Sequence, residues 1–290
     1  MIPASFDYAR PQSVDEATQI LSGDEDAKVI AGGQSLIPLL RLRLAAPSVL
    51  VDLGGISELR GVHDDGDALV IGAMTTHASV LRDPLVARHA PLLAQATATV
   101  ADRQVRHLGT LGGSLAHADP AGDLPAVAVA LDATLEIAGP GGRRSVAAAD
   151  FFVDYLTSAV EPGDVLVAVR VPKRDGWSSH YEKFNRMAQA WALVGVAASV
   201  RRDNGTIAEA RVVLTNMGST PLRAEAVEAA LTGASADAPT VAAAAAHAAE
   251  GAQPTGDPSA SAEYRSHLAR VLTERAILST LDPGRSSHAA

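Results

Sequence analysis

The chain has 290 residues, 24 Lys and Arg against 33 Asp and Glu, a formal net charge of −9, and no cysteine. Without cysteine the chain holds no disulfide, no thiolate nucleophile, no Cys-ligated zinc and no iron–sulfur cluster, so any redox chemistry needs a bound organic cofactor or a partner's metal. The acidic balance, with a pI near 5.4 and no Lys/Arg stripe, argues against a nucleic-acid role.

Met1 to Tyr8 has neither the charged n-region nor the apolar h-region of a signal peptide. Apolar runs are broken by Arg, Asp or Pro before reaching about 18 residues, so no membrane-spanning helix is expected and the default location is the cytoplasm. Ser13-Val14-Asp15-Glu16 has the capping-box spacing and predicts a helix with Val14, Ala17, Ile20 and Leu21 on one face. Lys28-Val29-Ile30-Ala31 reads as a buried strand, and Leu36–Leu44 as an apolar segment with Pro38 in its first turn. Val49–Leu53 is a second strand, and Leu59–His63 with Ala68–Gly72 a hairpin. His77, after Thr75-Thr76, is placed near a helix start.

Leu85 to about Ala101 has one helical pattern, and Gly109–Pro120 is a glycine-rich loop before a short helix from Asp123 to about Leu131. Thr134–Ala138, Arg143–Val146 and Val165–Val171 read as strands. A polar break near Pro172–Ser178 separates these from an antiparallel meander, Tyr181–Asn185, Leu193–Arg201 and Ile207–Asn216, turned at Asn204-Gly205. Ala-rich helices follow around 223–232, 239–250 and 260–281, and Pro283–Ala290 reads as a frayed tail. The fold class is therefore α+β rather than a clean β-α-β alternation, with domains at 1–175 (lobes about 1–55 and 56–175) and 176–283 and a tail at 284–290.

Two segments pair glycines with small hydroxyl residues: Ala31-Gly32-Gly33-Gln34-Ser35-Leu36 and Thr110-Leu111-Gly112-Gly113-Ser114. Paired glycines let backbone amides approach a ligand oxygen. Neither segment is G-x-G-x-x-G and neither carries the P-loop lysine, so a Rossmann NAD site and a P-loop NTPase are unsupported. Two such loops fit one extended diphosphate gripped from two sides, as in FAD; the alternative is a pair of tight turns in a Gly-rich protein. His107, His117, Asp119 and Asp123 match no closed zinc pattern, so no metal is expected; these residues read as capping the helix after Pro120 and facing a cofactor. Arg41 and Arg43, alternating with leucines, mark either a solvent face or a partner-facing patch.

Ser5-Phe6-Asp7-Tyr8 with Arg10-Pro11, Ala31–Pro38, Val51-Asp52-Leu53, Ile71–Thr76, Gly109–Gly113, Ala118-Asp119-Pro120 with Asp123-Leu124-Pro125, and Tyr181-Glu182-Lys183 occur in this order along nearly the whole chain. Together they resemble the FAD-binding medium subunits of the molybdenum hydroxylases, most closely the aerobic carbon monoxide dehydrogenase type. The resemblance implies a two-lobed FAD-binding domain of the vanillyl-alcohol oxidase type, followed by a three-stranded antiparallel sheet with a helix bundle. It implies that Lys28, Val29, Ile30, Ala31, Gly32, Gly33, Gln34, Ser35 and Leu36 form the first loop around the FAD diphosphate. Ala101, Gly109, Thr110, Gly113, Ser114 and Ala116 would line the second. Asp123 would accept from the ribityl or ribose hydroxyls, Leu166 would pack near the adenine or flavin, and Lys183 would lie close to the isoalloxazine. Trp191 falls where the family has a Tyr near the flavin; the alternative is that it opens a core strand and fills volume. The sequence departs from the family pattern at Gln34, Ser114 and Ala190.

The function implied is an oxidoreductase subunit whose FAD passes electrons from a partner's [2Fe-2S] clusters to an external acceptor such as a quinone. A molybdenum-containing large subunit and an iron–sulfur small subunit are the implied partners, in a dimer of heterotrimers, with possible contact at the inner face of the membrane through the complex. The alternatives are the flavoprotein subunit of another molybdenum hydroxylase, acting on aromatic or heterocyclic substrates, and a stand-alone FAD oxidase. No catalytic acid–base residue is required of the chain, because the cofactor carries the chemistry.

Overall fold

The computed structural model describes residues 1–282, so the expected tail lies outside the described residues. The first lobe is β1 (Asp7–Ala9), α1 (Val14–Gly23), β2 (Lys28–Ile30), α2 (Leu36–Leu42) and β3 (Val49–Asp52). Its strands lie in the order β1-β3-β2 and are all parallel. This lobe alternates strand and helix, and its α1, β2, α2 and β3 fall where the sequence places them. The strand missed, β1, is three residues long and its side chains are mostly exposed, so it leaves no hydrophobic pattern. Ser13 caps α1 by accepting from the Glu16 amide, while Glu16 reaches back past Ser13 to the Gln12 amide at 2.8 Å. Val14, Ala17 and Leu21 are buried against Val51.

The second lobe opens with the hairpin β4 (Val62–Asp65) and β5 (Ala68–Gly72). Six helices follow: α3 (His77–Arg82), α4 (Pro84–His89), α5 (Pro91–Ala98), α6 (Arg103–Leu108), α7 (Leu111–His117) and α8 (Asp123–Ala130). The single helix expected from Leu85 to Ala101 is two helices. Pro91 has no amide to donate and crowds the preceding turn, and it starts α5 afresh after Ala90. The lobe closes with β6 (Thr134–Gly139), β7 (Gly142–Ala147), α9 (Ala148–Phe151), β8 (Phe152–Asp154), β9 (Thr157–Ser158) and β10 (Val165–Pro172). Its main sheet is antiparallel, in the order β4-β5-β10-β6-β7. Helix α8 is buried at every position, which is why its sequence is apolar on all sides apart from Asp123.

The remainder is β11 (Trp177–Phe184), β12 (Val194–Asp203), β13 (Thr206–Thr215), β14 (Leu222–Arg223), α10 (Glu225–Leu231), α11 (Ala238–Ala245) and α12 (Ala262–Leu281). The sheet has four strands, not three: β14 pairs with β13, but two residues are too few to show a strand period. Side chains of β12 and β13 alternate between two cores. Val194, Val196, Ala198, Val200, Val212 and Leu214 pack on the helices α10 to α12. Tyr181, Ala197 and Val213 belong to the core of the second lobe, beside α8. One sheet therefore seals two hydrophobic cores, as the period of two requires. Among the described residues no helix is long and apolar enough to cross a membrane.

Candidate cofactor site

Strand β2 delivers the first glycine loop and α2 carries the chain away. Gly33 sits at φ +72, in the left-handed region, where a Cβ would also lie 2.7 Å from Ile37 Cδ1. The Gln34 side chain donates to the Gly32 carbonyl at 2.9 Å. Among the described residues the amides of Gly33, Gln34 and Ser35 donate to no protein acceptor, although Gly33 is buried. Such amides are donors awaiting an acceptor.

The second glycine segment is not a loop, as the sequence suggested, but the start of α7. Thr110 caps it by accepting from the Gly113 amide at 3.1 Å. The first-turn amides, which have no acceptor within the helix, are taken by the chain that leaves β5: Leu111 donates to Thr75 and Gly112 to Ala73, at 3.0 and 2.8 Å. Glycine is required here by packing, since a Cβ on Gly112 would lie 2.4 Å from Ala73 Cβ.

The two glycine segments meet. A Cβ on Gly32 would stand 2.4 Å from the Leu108 carbonyl oxygen and 2.7 Å from Gly109 Cα, and one on Gly113 would stand 3.4 Å from Ala31 Cβ. The unpaired amides of the first loop thus lie at the rim of a cradle whose other wall is Gly109 to Gly113. A Cβ on Gly32 would meet the Leu108 carbonyl and one on Gly113 would meet Thr110 Oγ1 at 2.7 Å, so both positions need glycine for the walls to meet. An extended, oxygen-rich diphosphate flanked by neutral moieties fits such a cradle, so the residues present are suited to FAD.

Ala101 has φ +42, and Arg106 Nη1 holds the carbonyls of Val100 and Ala101 at 2.7 and 3.2 Å. Ser114 and Ala116 follow on α7, both half-buried. Leu166 is buried on β10, next to Val167, whose carbonyl accepts from Ala73 at 2.8 Å. Lys183 Nζ donates to the Thr99 carbonyl at 3.1 Å and to Asp123 Oδ2 at 2.8 Å. The other Asp123 oxygen accepts from the Tyr181 hydroxyl at 2.7 Å. Both members of the Asp123–Lys183 pair are almost wholly buried. Burial pushes the Asp123 carboxyl above its usual range, with Lys183 and Tyr181 pulling the other way.

Two predicted residues stand apart. Lys28, at the start of β2, is exposed. Trp191 lies on the connection between β11 and β12 and is 54% exposed. It neither opens a strand nor fills a core, because β12 begins at Val194. The polar residues before α8 do not cap it: Asp119 caps its own turn, accepting from the Ala121 amide at 2.8 Å, and the N-cap of α8 is Gly122. Among the described residues no cluster of three or more metal-ligating groups forms.

The sequence placed His77 only near a helix start, where Thr76 indeed caps α3. The structure adds that the His77 ring packs on Gly109, with Nε2 3.2 Å from where a Cβ would be. Its Nδ1 is buried without a partner among the described residues. Burial, reinforced by Arg106, lowers its pKa to about 4, so the ring beside the second wall is neutral. The spacing from Thr76 gave no sign of this contact, which depends on the far end of α6.

Residues 4–174 match the family model of the FAD binding domain in molybdopterin dehydrogenase. The chain belongs to this family. Residues 179–280 of this molybdopterin dehydrogenase flavoprotein match the CO dehydrogenase flavoprotein C-terminal domain. It is 40% identical over 281 residues to the carbon monoxide dehydrogenase medium chain of Hydrogenophaga pseudoflava, covering 96% of this chain and 97% of that one. A solved structure of carbon monoxide dehydrogenase from the same organism, lacking the Mo-pyranopterin moiety, superimposes with a TM-score of 0.93 at 42% identity over 96% of this chain and 97% of that chain. Quinoline 2-oxidoreductase from Pseudomonas putida 86 gives a TM-score of 0.94 at 39% identity, over 98% of this chain and 99% of that one. The fold is thus a mixed α/β FAD-binding domain with a CO dehydrogenase flavoprotein C-terminal part.

Proposed function

We propose that the chain is the FAD-carrying electron-transfer subunit of a molybdenum hydroxylase complex of the carbon monoxide dehydrogenase type. The observation that carries this reading is the meeting of the two glycine segments, with Gly32 against Leu108–Gly109 and unspent amides at Gly33 to Ser35. Bound FAD supplies single-electron exchange with a partner's cluster and paired exchange with an external acceptor. The protein's own task is to hold, orient and seal.

Val29 through Leu36 form the first wall, with the exposed Lys28 at its outer end; Ala101, Gly109, Thr110, Gly113, Ser114 and Ala116 form the second. Leu166 supplies an apolar floor. Asp123 takes part through Lys183, whose ammonium it fixes beside Thr99, near Ala101. Trp191, exposed as it stands, covers one face of the flavin ring by offset stacking. The domains are 1–175, a two-lobed unit of the vanillyl-alcohol oxidase type with lobes about 1–55 and 56–175, and 176–283. The parallel β1-β3-β2 lobe beside the antiparallel five-stranded sheet supports this division. The partners are a molybdenum-bearing large chain and an iron–sulfur small chain, in a dimer of heterotrimers that reduces a quinone-like acceptor in the cytoplasm or at the inner face of the membrane.

The test is the complex itself, purified through a tag on this chain, with its subunits identified by mass spectrometry and its flavin read by absorption. Expected are a large molybdenum chain, a small cysteine-rich chain and one flavin per copy of this chain. A complex that retains molybdenum and iron but has no flavin bands overturns the reading. Substrate turnover by this chain purified alone would establish a stand-alone oxidase instead.

A further inference from the structure

We propose that Arg265 and Asn216 are positioning residues for the flavin: together they fix the backbone of Ala192 and Leu193, and through it the direction in which Trp191 is presented to the ring. This rests on the reading of Trp191 as the cover of one flavin face and names what holds it there.

Arg265 lies in the first turn of α12 and is only 2% exposed. Two costs attach to it. A buried guanidinium is stripped of water, and a cation in the first turn opposes the positive end of the helix dipole. Leu or Met would pack at that position with neither cost. The ion pair is a partial offset. Nη2 donates to Asp257 Oδ2 at 2.7 Å, but that carboxylate is half-exposed, and Arg265 Nε is buried without a partner among the described residues. What the guanidinium reaches is a backbone atom 72 positions away, since Nη1 donates to the Leu193 carbonyl at 2.5 Å.

The same carbonyl has a second donor. Asn216 Nδ2 donates to the Ala192 carbonyl at 2.8 Å and to the Leu193 carbonyl at 3.3 Å. Asn216 follows β13 directly, in the left-handed region at φ +64, and its own amide donates to the Pro120 carbonyl at 2.8 Å. Pro120 lies between α7 and α8, so Asn216 ties Ala192 and Leu193 to the segment that leaves the second wall of the cradle. The Leu193 amide donates to the Phe184 carbonyl at 2.8 Å and closes the base of the connection. Leu193 is thus held at both its amide and its carbonyl, by β11, by α12 and by the end of β13.

The outer part of the connection differs. Asn185 Nδ2 and the Ala190 amide both donate to the Met187 carbonyl, at 2.7 and 2.9 Å. Among the described residues no hydrogen bond joins 185–191 to another element. Trp191 is exposed, whereas its neighbour Ala192 is buried. The fixed point from which the indole is aimed is therefore the Ala192–Leu193 backbone, and Arg265 and Asn216 are the side chains that fix it.

The test uses the purified complex carrying Arg265→Met, Asn216→Gly or Trp191→Ala, and each of the first two combined with Trp191→Ala. Glycine keeps the left-handed backbone at position 216 and removes the donor. Arg265→Met strands no group: Asp257 keeps the amides of Ser259 and Ala260, and the Leu193 carbonyl keeps Asn216. In both Arg265→Met and Asn216→Gly the flavin absorption and midpoint potential are expected to shift in the same direction as in Trp191→Ala, by about half of that shift or more. Neither is expected to add to the shift once Trp191 is Ala, because a residue that acts through another is silent in its absence. A purely structural role would not give this dependence on Trp191. An unshifted flavin in either variant, or a shift that persists undiminished in the Trp191→Ala background, overturns the positioning role. Should Arg265→Met fail to assemble, Asn216→Gly decides by the same criteria. No shift in Trp191→Ala itself overturns the reading of Trp191 and this inference with it, whereas a shift there and none in the other two overturns the positioning role alone.

Discussion

Gly32 has no space for a side chain, because the carbonyl of Leu108 occupies it. That carbonyl cannot yield as a flexible side chain would, so Gly32→Ala must push the two glycine segments apart. The expected result is flavin content reduced about tenfold or more in the purified complex, with the far-UV spectrum unchanged; full flavin content would show that the walls need not meet. His77 gives a second test. Its pKa is lowered to about 4, so between about pH 6.5 and 4 the unfolded chain binds a proton that the folded chain refuses. Stability therefore falls as pH drops through that window, by up to about 3 kcal/mol from this residue. A His77→Gln variant should lose that part of the acid limb in denaturant titrations at a series of pH values. An acid limb as steep as in the unmutated protein would mean His77 is charged when folded. For Trp191, replacement by Ala should shift the flavin absorption or potential, and an unchanged spectrum and potential would remove it from the site.

At the scale of elements, the join between α8 and β11 is a buried ion pair. Asp123 and Lys183 sit 60 positions apart in sequence and 2.8 Å apart in space. Removing one partner strands the other in the interior, so Lys183→Met should cost about 3–5 kcal/mol. Asp123→Asn combined with Lys183→Met should recover most of that, because no charge is left unpaired. Equal losses in the single and double variants, by denaturant unfolding, would contradict it. No sequence signal pairs these residues. What was legible had local causes: the Asn204-Gly205 turn, both residues at positive φ, marked the β12–β13 hairpin, and Ser13 marked α1. What was not legible was either too short, as β1 and β14 are, or disguised. The glycines of α7 looked like a loop, since their need to pack on Ala73 appears only in three dimensions. For the site, the glycine pairs were readable from their spacing. Their meeting depends on the Leu108 backbone, which any residue would supply.

At the scale of the molecule, the sheet β11-β12-β13-β14 is shared by two cores. Tyr181, Ala197 and Val213 complete the core that surrounds α8, so a fragment ending at 175 would expose that surface to water. Such a fragment should fail to give a cooperative unfolding transition, whereas the full chain should give one; a cooperative transition in the fragment would show that the first two lobes fold alone. The same sharing places Lys183, on the C-terminal sheet, beside the Thr99 carbonyl near the cradle. The most direct measurement of the central claim is the absorption spectrum of the purified complex, taken anaerobically before and after reduction with dithionite. The predicted result is a flavin spectrum that bleaches on reduction and weakens in step with flavin loss in Gly32→Ala. A complex retaining molybdenum and iron whose spectrum lacks flavin, or whose flavin is untouched by Gly32→Ala, would contradict it.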